Sequence, residues 1–138
     1  MNPNQQITCS QNRKTFILYA NGAIFSVVAL DKGKGKYNKS KKCDYLITKD
    51  TKDIQIFIEL KGSDIAHAYR QILSSYENRE NIQSKCYAAI VCSKYPQIDS
   101  TIQALQRKTG KVFEKIFVKS NKLETQYNSS NNSIEKIN

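Results

Sequence analysis

The run 86–92 (CYAAIVC) constrains this chain more than any other segment. Seven uninterrupted apolar residues leave no polar side for water. Such a run reads as a strand covered on both faces, as in sheets whose strands are joined by helical crossovers. Its neighbours fit that frame. Upstream, Ser63 or Asp64 is a good helix N-cap. Ile65, Tyr69, Ile72 and Tyr76 then recur at spacings of four, three and four, one face of an amphipathic helix ending near Asn78. Downstream, Asp99 or Ser100 caps a second helix, Ile98, Ile102 and Leu105 mark its apolar side, and Gly110 stops it. Residues 112–118 (VFEKIFV) close the series as a last strand.

Before the first helix, residues 43–48 and 54–61 are two β-type runs around a turn-like KDTKD segment, which predicts a hairpin. Residues 15–30 (TFILYANGAIFSVVAL) are apolar and broken at Asn21-Gly22. They read as a short helix or strand up to Ala20, then a strand from about Ala23 to Leu30. Residues 31–42 (DKGKGKYNKSKK) are too polar for anything but a loop. The order is strand, strand, strand, helix, strand, helix, strand. That is an α/β or α+β domain with a mixed central sheet flanked by helices. The 138 residues suit one domain, expected over 1–126, with 127–138 (YNSSNNSIEKIN) low in apolar content and expected as a disordered tail.

No window approaches 18 consecutive apolar residues, so a membrane span is not expected. The polar opening MNPNQQITCSQNRK lacks the apolar core of a secretory signal, so a reducing cytoplasm is the expected compartment. The four cysteines (Cys9, Cys43, Cys86, Cys92) show no zinc-knuckle spacing, and His67 is the only histidine. A structural zinc site and disulfides are therefore not expected, and Cys86 and Cys92 read as small buried hydrophobes. A serine or cysteine hydrolase triad has no support from one histidine. The two glycines of GKG at 33–35 lack the rest of a phosphate-binding loop.

Charge gives the first positive indication. Lys and Arg number 22 against 12 Asp and Glu, a net charge of +10. The excess gathers at one end: residues 1–42 hold eight bases and a single acid, Asp31. A polyanionic partner such as nucleic acid follows from that asymmetry. Lys32, Lys34, Lys36, Lys39, Lys41 and Lys42 are the candidate phosphate contacts.

The hairpin carries the chemistry. With its turn centred between Thr51 and Lys52, Tyr45 faces Ile58 and Ile47 faces Ile56, an apolar layer that Ile54 and Leu60 continue. On the opposite side Thr48 faces Gln55, Leu46 faces Phe57, and Asp44 faces Glu59. Opposed residues hold their Cβ atoms about 4.5–5.5 Å apart, where like charges are unfavourable. Two carboxylates so placed call for a cation, and Mg²⁺ accepts oxygen ligands from just one or two carboxylates. Strand alternation puts Lys61 on the same side as Glu59.

Asp44, then fourteen intervening residues, then Glu59-Leu60-Lys61 at the end of an apolar strand and before an amphipathic helix, resembles the PD-(D/E)xK nuclease superfamily. That group includes restriction enzymes and Holliday-junction resolvases. Its core order of helix, three strands, helix and strand is similar to the order over roughly residues 12–95. The resemblance implies a restriction endonuclease-like core in which Asp44 and Glu59 bind Mg²⁺ (or Mn²⁺) with the Leu60 carbonyl. It implies that Lys61 orients the attacking water, and it matches Gln71 to a glutamine that many members carry on the following helix. Two features depart from the pattern. No acid precedes Asp31 to serve as a first-helix ligand, and Cys43 stands where a proline is common.

The expected function is a Mg²⁺-dependent endonuclease acting on DNA, with RNA as the alternative substrate that the sequence does not decide against, working as a homodimer or selecting DNA structure. The alternative is a catalytically inactive nuclease-like module that binds nucleic acid or protein. His67, Tyr69 and Tyr76 read as surface or packing residues.

Overall fold

A computed structural model of the chain describes residues 5–30, 42–60, 62–94 and 97–138. The apolar run forms β6 (Lys85–Cys92), fully buried from Cys86 onward. It lies inside a five-stranded sheet with β3 (Phe25–Ala29), β4 (Tyr45–Lys49), β5 (Ile54–Leu60) and β7 (Lys115–Ser120), in the order β3-β4-β5-β6-β7. The first three strands run antiparallel as a meander. From β5 the chain crosses to β6 through helix α1 (Ile65–Glu77), and from β6 to β7 through helix α2 (Ser100–Gly110), both pairings parallel.

Local signals set the helix ends. Asp64 caps α1 by accepting the His67 amide at 3.0 Å, and Asp99 caps α2 by accepting the Ile102 amide at 2.8 Å. Each cap satisfies an amide that the helix itself leaves without a partner.

Both crossovers advance along the sheet in one direction. Right-handed connections then place both helices on the same face. Phe57, Ala88 and Ile90 meet Ala68, Tyr69, Ile72 and Ile102 there. The central sheet is therefore not flanked by helices on both sides, as the sequence pattern suggests. Its other face is covered by a second, four-stranded sheet of β1 (Gln6–Gln11), β2 (Lys14–Tyr19), β8 (Lys122–Asn128) and β9 (Ser133–Lys136), in the order β1-β2-β8-β9. Phe16, Leu18, Leu123 and Ile134 of this sheet pack on Ile47, Ile54, Ile56 and Ile58. The result is three layers: sheet, sheet, helices.

Two expectations are corrected by the second sheet. Residues 14–19 form a strand, so the leading helix that the nuclease resemblance implies is replaced by a hairpin. Its two-residue turn, Asn12-Arg13, has both residues at positive φ, the geometry that suits twisted antiparallel strands. The stretch expected as a disordered tail instead completes β8 and forms β9, with Ile134 wholly buried. Alternation in β8 puts Leu123, Thr125 and Tyr127 inward, and β8 pairs with β2 in parallel across more than a hundred residues of sequence. Asn121, at φ +65°, turns the chain from β7 of one sheet into β8 of the other.

All four cysteines are free and buried. Among the described residues no helix is long and apolar enough to cross a membrane.

Candidate functional site

The hairpin register is the one the sequence predicts: Tyr45 opposite Ile58, Leu46 opposite Phe57, Ile47 opposite Ile56 and Thr48 opposite Gln55. Beyond Tyr45 the regular ladder stops and the chain bends at Asp44. Main-chain groups at a strand end still need partners. Here side chains supply them. The Asp44 amide donates to Glu59 Oε1 at 3.1 Å, and the Leu60 amide donates to Asp44 Oδ2 at 2.7 Å. The Asp44 carbonyl accepts the Leu30 amide at 2.9 Å, tying the bend to the end of β3. The Cys43 amide donates to Ser75 Oγ of α1 at 2.7 Å. Backbone position and carboxylate position are thus locked together from three elements.

Glu59 and Asp44 are both buried, at 2% and 7% exposure. The adjoining Cys43 thiol is pushed up to about 12 by burial, with the negative charges of Glu59 and Asp44 adding to the rise and the Ser75 hydroxyl opposing it. That thiol stays protonated and takes no part in anionic chemistry.

Gln71 lies one helical turn before Ser75 on the same side of α1. Its Oε1 is buried without a hydrogen-bond partner, a cost that a bound hydrogen-bond donor such as water would remove. Lys61 lies outside the described residues, as do Lys32, Lys34, Lys36, Lys39 and Lys41. Lys42 is described and half-buried.

Among the described residues no group of three or more His, Cys, Asp or Glu comes together to hold a metal. An ion at this place would rest on two carboxylates, neutral oxygens such as the Leu60 carbonyl, and water. That donor set suits Mg²⁺, which keeps several of its waters, and does not suit zinc. The residues present therefore fit the ion the sequence suggests.

The sheet face carrying Asp44 and Glu59 continues along the hairpin as Leu46 and Thr48 on β4 and Phe57 and Gln55 on β5. Leu46, Thr48, Gln55 and Phe57 line a groove of about 430 Å³, and Asp44 and Glu59 lie outside its lining. Among the described residues, Lys42, Lys52 and Arg79 stand in its wall against one carboxylate, Glu80. Sequence reasoning did not single out Lys52, Ser75 or Arg79. A signal was present: Gln71, Ser75 and Arg79 fall at intervals of four.

Tyr69 is buried under α2, and Tyr76 belongs to an aromatic cluster with Phe57 and Phe113, its ring 5.1 Å from that of Phe113. Both are packing residues. His67 contributes its amide to the helix cap.

Comparison with family models, with curated proteins and with solved structures finds no match for this chain.

Proposed function

We propose that this chain is a metal-dependent nuclease that hydrolyses phosphodiester bonds in nucleic acid, DNA foremost. The observation that carries the reading is the Asp44–Glu59 pair. Two acids meet where β4 and β5 part, on the face that runs into a groove walled by Lys42, Lys52 and Arg79.

Hydrolysis joins a water oxygen to phosphorus and breaks the bond to the leaving oxygen. The water loses a proton and the leaving oxygen gains one. Bound Mg²⁺ supplies Lewis acidity toward the phosphate and lowers the pKa of water. Asp44 and Glu59 would hold it, their orientation set by the backbone amides they accept. Lys61 and Gln71 are the candidates to orient the attacking water. Groove cations neutralise the phosphates on either side of the cut, so affinity falls with salt.

A second reading, a nucleic-acid-binding module without cutting, is favoured by the burial of Glu59 and by the absence of any acid before Asp31. Cleavage of plasmid, linear duplex, single strand, four-way junction and RNA in Mg²⁺ or Mn²⁺ separates the two. The nuclease reading expects metal-dependent cutting that Asp44→Asn and Lys61→Ala each reduce by about a hundredfold or more. Salt-sensitive binding without cutting in all three proteins would establish the module instead. A homodimer is part of the proposal, and sedimentation showing a monomer with and without DNA would remove it.

A further inference from the structure

We propose that the groove beside the acid pair receives an unpaired nucleotide next to the scissile phosphate, so that the protein selects single-stranded or flapped nucleic acid over plain duplex. The proposal rests on the reading of Asp44 and Glu59 as the cutting site, and it adds what kind of strand reaches them.

Three observations converge. First, the groove floor is apolar: Val28, Leu30, Leu46 and Phe57 meet there, with Val28 53% exposed. A duplex presents phosphates and hydrated edges and keeps its base faces stacked away. An unstacked base offers a flat apolar face that such a floor can desolvate. Second, the wall carries Lys42, Lys52 and Arg79, charge complementary to the phosphates on either side of that base. The volume of about 430 Å³ lies in the range of small-ligand sites and far below a duplex-width cleft.

Third, one polar atom of the wall awaits a partner. Arg79 Nε is a buried side-chain atom without a hydrogen bond. Arg79 follows the C-terminal end of α1 and stands in the groove wall. Arg79 is already held in place: its Nη1 donates to the Tyr76 carbonyl at 2.7 Å and its guanidinium lies 3.8 Å from the Tyr76 ring centre. A fixed guanidinium with an unused donor is suited to a phosphate or base oxygen.

The test is fluorescence anisotropy of one labelled sequence of about 20 nucleotides as single strand, as blunt duplex, and as a duplex with a single-stranded flap. Ca²⁺ replaces Mg²⁺ so that binding is read without cutting. Wild type is expected to bind the strand and the flap about tenfold more tightly than the blunt duplex. Val28→Asp, on an exposed edge strand, is expected to lose that preference, and so is Lys52→Glu in the exposed hairpin turn. Circular dichroism verifies that each is folded, and either variant suffices if the other is not. Equal affinity of wild type for all three probes overturns the proposal, as does a preference that survives in both folded variants. The nuclease reading fails separately. A strand preference without metal-dependent cutting would leave the groove standing and remove the cutting site.

Discussion

Asp44 and Glu59 are joined by a hydrogen bond in which the Asp44 amide donates to Glu59 Oε1 at 3.1 Å. The carboxylate of Asp44 in turn caps the amide of Leu60 at 2.7 Å. The pair serves the backbone through these bonds, and under the proposed function it would also hold the metal. Those two roles respond differently to substitution.

Glu59→Gln keeps an oxygen for the Asp44 amide and removes the carboxylate that the proposed metal would use. In metal-free buffer it is expected to melt within a few degrees of wild type. Cleavage is expected to fall about a hundredfold or more. Mg²⁺ at a hundred times its dissociation constant is expected to stabilise wild type by about 2.7 kcal/mol and leave Asp44→Asn unmoved. Thermal melts with and without Mg²⁺ check all of this. A Glu59→Gln variant that melts well below wild type would mean that the pair is structural.

Ile134 decides whether the last strand matters. It is completely buried between the two sheets, among Leu123, Tyr127 and residues of β5. Ile134→Ala is expected to cost about 2–5 kcal/mol in urea unfolding. A change near zero would mean that residues 127–138 contribute nothing to the core.

Asp53 joins the hairpin turn to the second sheet. Its Oδ2 accepts from Asn132 Nδ2 at 2.8 Å, and Lys49 lies 3.8 Å from Oδ1. Hydrogen bonds from Thr51 and then Asn132, with the Lys49 charge adding less, hold its carboxyl below the usual carboxylate range. A lowered folded-state pKa gives stability that is present above the unfolded value of about 4 and is lost as pH falls through the folded value. Asp53→Asn is therefore expected to be less stable than wild type at pH 6, with the difference shrinking as the pH is lowered. The side chain is 41% exposed, so solvent screening keeps the difference below about 1 kcal/mol. Urea titrations at several pH values measure it. A gap that widens on acidification would reverse the sign and refute the assignment.

Much of the central sheet was legible in the sequence. The Tyr45–Ile58 register, the two helix starts (each cap narrowed to two neighbouring residues, of which Asp64 and Asp99 do the capping), and the buried strand at 86–92 all follow from local rules: alternation, turn position, capping chemistry and one uninterrupted apolar run. From that register the adjacency of Asp44 and Glu59 also followed. The second sheet was not legible. In β1 the inward residues are Ile7 and Cys9, and in β9 Ile134 stands alone among polar neighbours. So few apolar side chains give no periodic signal above the polar background.

By itself, then, the sequence determined the hairpin, the two helices and the acids at the point where the strands part, because each depends on residues near one another along the chain. Only the tertiary structure decided what covers the far face of the central sheet. Two same-handed crossovers put both helices on one side, and Ile54, Ile56 and Ile58 on the other had to be buried by something else. The strands that do so come from opposite ends of the chain, and β2 finds β8 across that distance through the shared burial of Phe16, Leu18 and Leu123. The groove is equally a product of assembly, since Val28, Leu46 and Arg79 meet there from β3, β4 and the end of α1. No local pattern records such a meeting. It exists only once burial of the core has brought those elements together.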